Sequence, residues 1–335
     1  MPELHPVLAD WNKKGLRWSE AVLVRAHHSA PLPPGARLYV NESGDMHGAI
    51  SMGCVESDIR EHLLNLLAGG EPRIVHYGSS DAMILEVGLT CGGEIDVLLR
   101  LPSAESSDER PTLRITRMEP APVGGQLMRF ADGRWAGTLG SAELDRLAEE
   151  EAPSLCPKGG QILHTMAGVR VFIEYPEPPP TLVIVGASPI GVALCRMAAM
   201  AGFRVVVVDP RRQYASAERF PEAERVVHAW PEEGLKQAGL DASWYVAVLA
   251  HDAKLDLPAL VTALRMRCTY IGLLGSRRTQ EKYRTQLAEQ GFPPAETDHI
   301  HRPIGLSIGA LEPAEIAVSI LAELIAIRRG RANAT

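Results

Sequence analysis

"TLVIVGASPIGVALCRMAAMAGFRVVVVD" runs from Thr181 to Asp209. It opens on an unbroken apolar run and turns at Gly186. A stretch begun by Pro189 and closed near Gly202 follows, and proline suits the first position of a helix as glycine suits its end. "RVVVVD" is a second apolar run. The segment reads strand, helix, strand, and continuous apolar strands beside a helix belong to a parallel sheet covered on both faces. The pattern continues downstream. "VVHA" is a short third strand, "WYVAVLA" a fourth, "LPALVTALRMR" a helix and "TYIGLLG" a fifth strand. Helices from Ser276 and from about Pro313 to Arg329 complete it. The second half is expected to be α/β, a Rossmann-like doubly wound parallel sheet.

Upstream, "EYPEPPP" places Pro176, Pro178, Pro179 and Pro180 in a stiff extended connector. It divides an αβ domain over 1–175 from the Rossmann-like domain over 181–330, with 176–180 as linker. The first half carries an internal repeat, expected over about 20–100 and 110–175. "GARLYVNESGDMHGAIS" aligns without gaps on "GGQLMRFADGRWAGTLG", Gly44 on Gly133, Gly48 on Gly137, Leu38 on Leu127 and Ile50 on Leu139. Each copy reads as a hairpin with a glycine turn followed by a helix, and "CGGEIDVLL" loosely matches "MAGVRVFIE".

The chain of 335 residues is 46% hydrophobic and 22% charged, enough for two cores. A net charge of -7 and 5% aromatic residues argue against a nucleic-acid partner. No apolar run has the length of a membrane span, and the N-terminus lacks the apolar core of a signal peptide. Five scattered cysteines without a CxxC pair fit a reducing compartment, so a cytoplasmic protein is expected.

Several places combine chemistry with permissive backbone. Cys54 follows Gly53 and precedes Glu56 at the expected start of a helix, and the second copy has no thiol there. It reads as a core cysteine or as a thiol favoured by a helix N-terminus. Glu56 would cap that helix or meet a ligand amine. Cys91 is followed by Gly92 and Gly93 in a loop able to expose amides. In "GASPIG", Gly186 and Gly191 keep the outer glycines of a dinucleotide turn. Ser188 replaces the middle one, and Pro189 removes an amide. Asp209 stands where an acid would bind a ribose. His251 and Asp252 follow the fourth strand. Gly275, Ser276, Arg277 and Arg278 follow the fifth at a helix start, as an anion site or as a capped helix with solvated arginines. His27, His28, His299 and His301 lack partners at ligand spacing and read as surface histidines.

Together the residues resemble the xanthine dehydrogenase accessory proteins, the XdhC and CoxI family. The marks are "APLPPGARLYV", "GCVESDI", "LTCGGEIDVLL", "VDPRR", "AHDAKLD", "YIGLLGSRRT" and "PIGLSIGALEPAEIAVSILAELIAIR". The resemblance implies a chaperone without turnover chemistry of its own. It would bind molybdenum cofactor, as molybdopterin or its dinucleotide form, and protect it while it gains its terminal sulfur. It would then pass the cofactor to a client molybdenum hydroxylase of the xanthine dehydrogenase or aldehyde oxidase type. A cysteine desulfurase is an implied further partner, and Cys54 an implied molybdenum contact. The chain departs from the family pattern at Met52 and at Ser188-Pro189, where glycine and Gly-His are usual. Glu312 stands where the last helix usually has a threonine cap. The broadly apolar "EIAVSILAELIAI" helix suggests a homodimer. The rival reading is an NAD(P)-dependent oxidoreductase, and a third is a docking scaffold.

Overall fold

The computed structural model describes residues 6–27, 32–78, 93–102, 111–155, 160–176 and 179–330. The chain forms two compact units, Met1–Pro178 and Pro179–Thr335.

The first unit begins with α1 (Pro6–Lys13), β1 (Trp18–His27), β2 (Arg37–Asn41), β3 (Met46–Gly48), α2 (Glu56–Leu67), β4 (Arg73–Tyr77) and β5 (Glu94–Arg100). It continues with β6 (Leu113–Glu119), β7 (Gln126–Arg129), β8 (Trp135–Thr138), α3 (Ala142–Leu155), β9 (Gly160–Met166) and β10 (Val169–Tyr175). Two antiparallel sheets result, ordered β3-β2-β1-β5-β4 and β8-β7-β6-β10-β9. The second order is the first repeated, strand for strand. Gly48 and Gly137 take φ near +90° at matching places. A Cβ on either would lie 2.2 Å from a carbonyl of the neighbouring strand, so both copies need glycine there. Even the irregularities match: β1 shifts register against β5 between Leu23 and Arg25, and β10 shifts against β6 between Arg170 and Val171.

Strand alternation splits the side chains of each sheet into two sets. One set packs under the copy's own helix, Ile59, Leu63 and Leu66 of α2 on the first and Leu144, Ala148 and Ala152 of α3 on the second. The other set meets in a shared seam of Val22, Val24, Leu98, Met118 and Phe172. At the end of this seam lies a buried charge network. Glu20 sits opposite Arg100 across β1 and β5, and Arg114 opposite Glu174 across β6 and β10. The two pairs occupy equivalent positions with the signs exchanged. Arg100 Nε donates to Glu20 at 2.7 Å and its Nη1 to Glu174 at 2.8 Å, while Arg114 reaches Glu20 at 3.1 Å. Arg37 closes the network by pairing with both carboxylates. A second tier repeats the exchange, with Arg25 on Asp96 in one copy and Glu119 on Arg170 in the other, each at 2.7 Å. A copy set against its own likeness would bring like charges together; the exchange favours the unlike halves.

The second unit contains β11 (Thr181–Val185), α4 (Pro189–Met200), β12 (Arg204–Val208), β13 (Arg225–Val227), α5 (Pro231–Ala238) and β14 (Tyr245–Val248). It continues with α6 (Ala253–Met266), β15 (Tyr270–Leu273), α7 (Arg277–Glu289), α8 (Pro294–Thr297), β16 (Ile300–His301) and α9 (Pro313–Arg328). Its strands form one parallel sheet ordered β13-β12-β11-β14-β15-β16. The α/β class and the Rossmann-like parallel sheet agree with the sequence reading. Val183, Val185, Val206 and Val208 pack on one face with α5, α6 and α7, and Ile184, Val205 and Val207 on the other with α4 and α9. Among the described residues, no helix is long and apolar enough to cross a membrane.

Candidate functional site

The order of the parallel sheet reverses at β11. Successive crossovers leave on opposite faces from there, and a crevice opens beyond the carboxyl ends of β11 and β14. A cavity of about 470 Å3 lies in it. Ile190, Leu249, Leu274 and Pro303 form apolar walls; Ser188, His251, Gly275 and Ser276 supply the polar lining.

Three helices begin around this crevice, each with its cap. Gly186 takes φ +104°, and a Cβ on it would lie 2.4 Å from the backbone nitrogen of Ala250. Ser188 caps α4 and accepts from Gly191 N at 3.2 Å. Asp252 caps α6 and accepts from Lys254 N at 2.9 Å, after His251 has turned the chain with φ +57°. Ser276 caps α7 and accepts from Thr279 N at 3.3 Å, while Gln280 ties Gly275 O at 2.8 Å. The caps take one amide apiece, and the other first-turn amides stand outside the helical ladder, where they suit an anion. Arg277 opens α7, its side chain outside the described residues, and Arg278 is exposed.

Asp209 behaves differently from the sequence expectation of an open ribose acceptor. It is buried, and its carboxylate accepts from Ala187 N and three times from Arg211. Burial works to raise its pKa, but the bonds from Arg211 and Ala187 outweigh it and hold the carboxyl below its usual range.

In the first unit the stretch Ser51–Val55 is a compact loop. Glu56 is its hub. Its carboxylate accepts from Ile50 N at 3.0 Å, Ser51 N at 2.7 Å, Ser51 Oγ at 2.6 Å and Gly53 N at 2.8 Å. Partial burial opposes the charge, yet these donors bring the carboxyl down to about 2. The Ser51 hydroxyl in turn accepts from Cys54 N and Val55 N, both at 3.0 Å. These bonds hold Cys54 outside the helix: Val55 is the N-cap of α2, and Cys54 precedes it. The thiol was expected in the first turn; the competing acceptors within the loop explain the difference. Cys54 is half-buried against the cluster under α2. Met52, at the loop's tip, is 73% exposed with φ +67°, a left-handed conformation that glycine would adopt without strain. In the second copy Asp145 stands at the place of Glu56, accepting from Leu139 N at 2.6 Å and Thr138 Oγ1 at 2.7 Å. An acid at this position is thus a capping device common to both copies. Gly93 is buried just before β5, and Cys91 and Gly92 lie outside the described residues.

The structure gathers Gly186, Ser188, His251, Asp252, Gly275 and Ser276 around one crevice, and Gly53, Cys54 and Glu56 in one loop of the other unit. Sequence reasoning missed two clusters in the second unit. Asp256, fully buried in α6, accepts from Tyr283 of α7 at 3.1 Å and is pushed up to about 6 by burial. His301, expected at the surface, stacks on Tyr270 and places Nδ1 3.0 Å from Glu323, which also accepts from Tyr270 at 2.5 Å and Gly305 N at 2.8 Å. The signal was a Tyr, a His and a Glu spread over more than fifty residues, which no local pattern joins. Glu312 forms a reciprocal capping box with Glu315, doing the work of the usual threonine. Among the described residues, no group of three or more His, Cys, Asp or Glu side chains could hold a metal ion.

Residues 182–324 match the family model of the XdhC Rossmann domain, and residues 11–78 that of the XdhC and CoxI family. A Bacillus subtilis (strain 168) protein named as a probable subunit of xanthine dehydrogenase is 28% identical over 319 residues, 92% of each chain. An Escherichia coli (strain K12) protein named molybdenum cofactor insertion chaperone PaoD is 28% identical over 311 residues, 91% of this chain and 82% of that one. A crystal structure from Bacillus halodurans, described as a xanthine dehydrogenase, shares the fold with a TM-score of 0.79 at 24% identity, over 98% of this chain and 96% of that one.

Proposed function

The chain belongs to the XdhC and CoxI family, and from that premise we propose that it is an accessory protein that binds molybdenum cofactor, protects it during sulfuration and inserts it into a molybdenum hydroxylase. Molybdenum cofactor, when bound, supplies a phosphate, a polar pterin and a dithiolene-held metal. The observation that carries the reading is the switch-point cavity rimmed by three capped helix starts, in a chain related over most of its length to a cofactor insertion chaperone.

The residues fit the phosphate end. Gly275 and Ser276 would present the first-turn amides of α7, with Arg277 and Arg278 adding charge. His251 and Ser188 would orient polar edges, and the apolar walls would keep water from an oxidation-prone group. Asp252, the cap of α6, adds negative charge next to His251. In the first unit, Glu56 keeps the Gly53-Cys54 loop in shape, and Cys54 is a separate candidate for a soft sulfur contact with molybdenum. Cys91, Gly92 and Gly93 are its proposed companions. The client, a cysteine desulfurase and a second copy of the chain are the proposed partners. The last would dock along α9, where Val318 and Ile325 are exposed seven residues apart on one face and Leu311 is exposed just before the helix.

The test is anaerobic purification from a host that makes the cofactor, followed by assay of released pterin and molybdenum. Pterin in amounts equal to the chain is expected, and Arg277→Ala with Arg278→Ala should weaken its retention without altering melting. Absence of pterin together with no uptake of added cofactor would refute the proposal.

A further inference from the structure

The acid at the end of β12 is fully occupied. Oδ1 of Asp209 accepts from Arg211 N and Arg211 Nε, both at 2.9 Å. Oδ2 accepts from Ala187 N at 2.8 Å and Arg211 Nη2 at 2.7 Å. A carboxylate offers about four acceptor sites, and all are used. The side chain of Asp209 is 0% exposed. In sheets of this order an acid here accepts the hydroxyls of a ribose diol. Asp209 could do so only by giving up one of these bonds in a buried setting, where an unmade charge-assisted bond is costly.

Arg211 reaches from this clasp to the surface. Its side chain is 39% exposed, its guanidinium lies 5.0 Å from the Tyr214 ring centroid, and it interacts electrostatically with Asp252 at the crevice rim. Arg219 also lies over Tyr214, at 5.9 Å. Beyond the end of β12 the chain therefore presents guanidinium and an aromatic ring in place of a hydroxyl acceptor. The turn between β11 and α4 points the same way, since Ala187 N is spent on Asp209 and Pro189 has no N–H to give.

We propose that the Asp209–Arg211 clasp sets the ligand class of the crevice: it rejects ligands anchored by a ribose diol, NAD among them, and admits ligands anchored by phosphate. The identity of the phosphate ligand rests on the function proposed above; the rejection of the diol does not. Arg211 is thus a specificity-determining residue acting through Asp209.

The experiment is calorimetric titration of the full chain with ADP-ribose and, separately, with inorganic pyrophosphate. The parent protein should bind ADP-ribose no more tightly than pyrophosphate, its riboses adding nothing. Arg211→Met should raise ADP-ribose affinity relative to pyrophosphate affinity by roughly tenfold or more. Adding Asp209→Asn should abolish the gain. Arg211→Lys keeps the charge but cannot fill both oxygens, and should gain in part. ADP-ribose bound by the parent protein roughly tenfold or more tightly than pyrophosphate, with that excess lost in Asp209→Asn, would overturn the proposal, and that measurement needs no Arg211 variant to fold. Equally, an Arg211→Met or Arg211→Lys protein that melts like the parent yet gains nothing would overturn it. None of these readouts involves molybdenum cofactor, so failure of the proposed function would leave them intact.

Discussion

Glu174→Gln should loosen the first unit severely, while Arg114→Met should not. The charge network holds two carboxylates, Glu20 and Glu174, against three guanidinia, Arg37, Arg100 and Arg114. Glu174 is 2% exposed and pairs with Arg100 and Arg37. Its neutralisation leaves one buried carboxylate to balance three guanidinia. Breaking a buried pair in this way costs about 3–5 kcal/mol. For a unit of this size each kcal/mol moves the melting temperature by about 2–4 °C, so a fall of roughly 6–20 °C is expected. Arg114 makes one bond, at 3.1 Å, and its Nε has no hydrogen-bond partner. Burial and the neighbouring Arg100 push its pKa down. Removing it leaves two charges of each sign, and the expected cost is under about 1 kcal/mol, or a small gain. The assay is urea and thermal unfolding with hydrogen exchange resolved to β1, β5 and β10, so that the two units are followed separately. Equal losses in the two variants, or a Glu174→Gln protein melting with the parent, would refute the charge-balance reasoning. The acid limb follows the same logic. Burial would raise the pKa of both carboxyls, but the guanidinia hold them well below the usual range. Their contribution is complete above about pH 4.3 and is lost only as the pH falls through the depressed values.

Asp256→Asn should stabilise the second unit at neutral pH, because a carboxyl raised to about 6 is ionised there at a cost while the unfolded chain ionises freely. The gain, of order 3 kcal/mol at pH 8, should shrink as pH falls and vanish below about pH 4, as read by urea midpoints across pH. Glu56→Gln should cost about 1–2 kcal/mol, allowing for partial exposure of the carboxylate, and Asp145→Asn less, since fewer donors converge on it; denaturant midpoints would rank them. Cys54→Ser should melt like the parent protein yet fail to activate a cofactor-free client hydroxylase; a destabilised variant that still activates the client would make Cys54 a packing residue.

The valine run of β12, the glycine at 186 and the proline at 189 identified the parallel sheet and its first crossover from sequence, because strand and helix signals lie in neighbouring residues. The repeat was legible for the same reason: glycines with positive φ recur at one spacing in both copies. The crevice residues could be named because each follows the end of a strand. What they bond to could not. Asp209 reads as an open acid until Arg211, two residues on, folds back and fills it. Glu56 reads as an ambiguous acid until the loop closes over it. Arg100 and Glu174 lie 74 residues apart, and no pattern along the chain couples them. Sheet register sets them face to face in a buried seam, where the low dielectric makes the pairing strong and its sign decisive. Local periodicity determined the elements; long-range proximity and burial decided which charges are spent on the fold and which remain for a ligand.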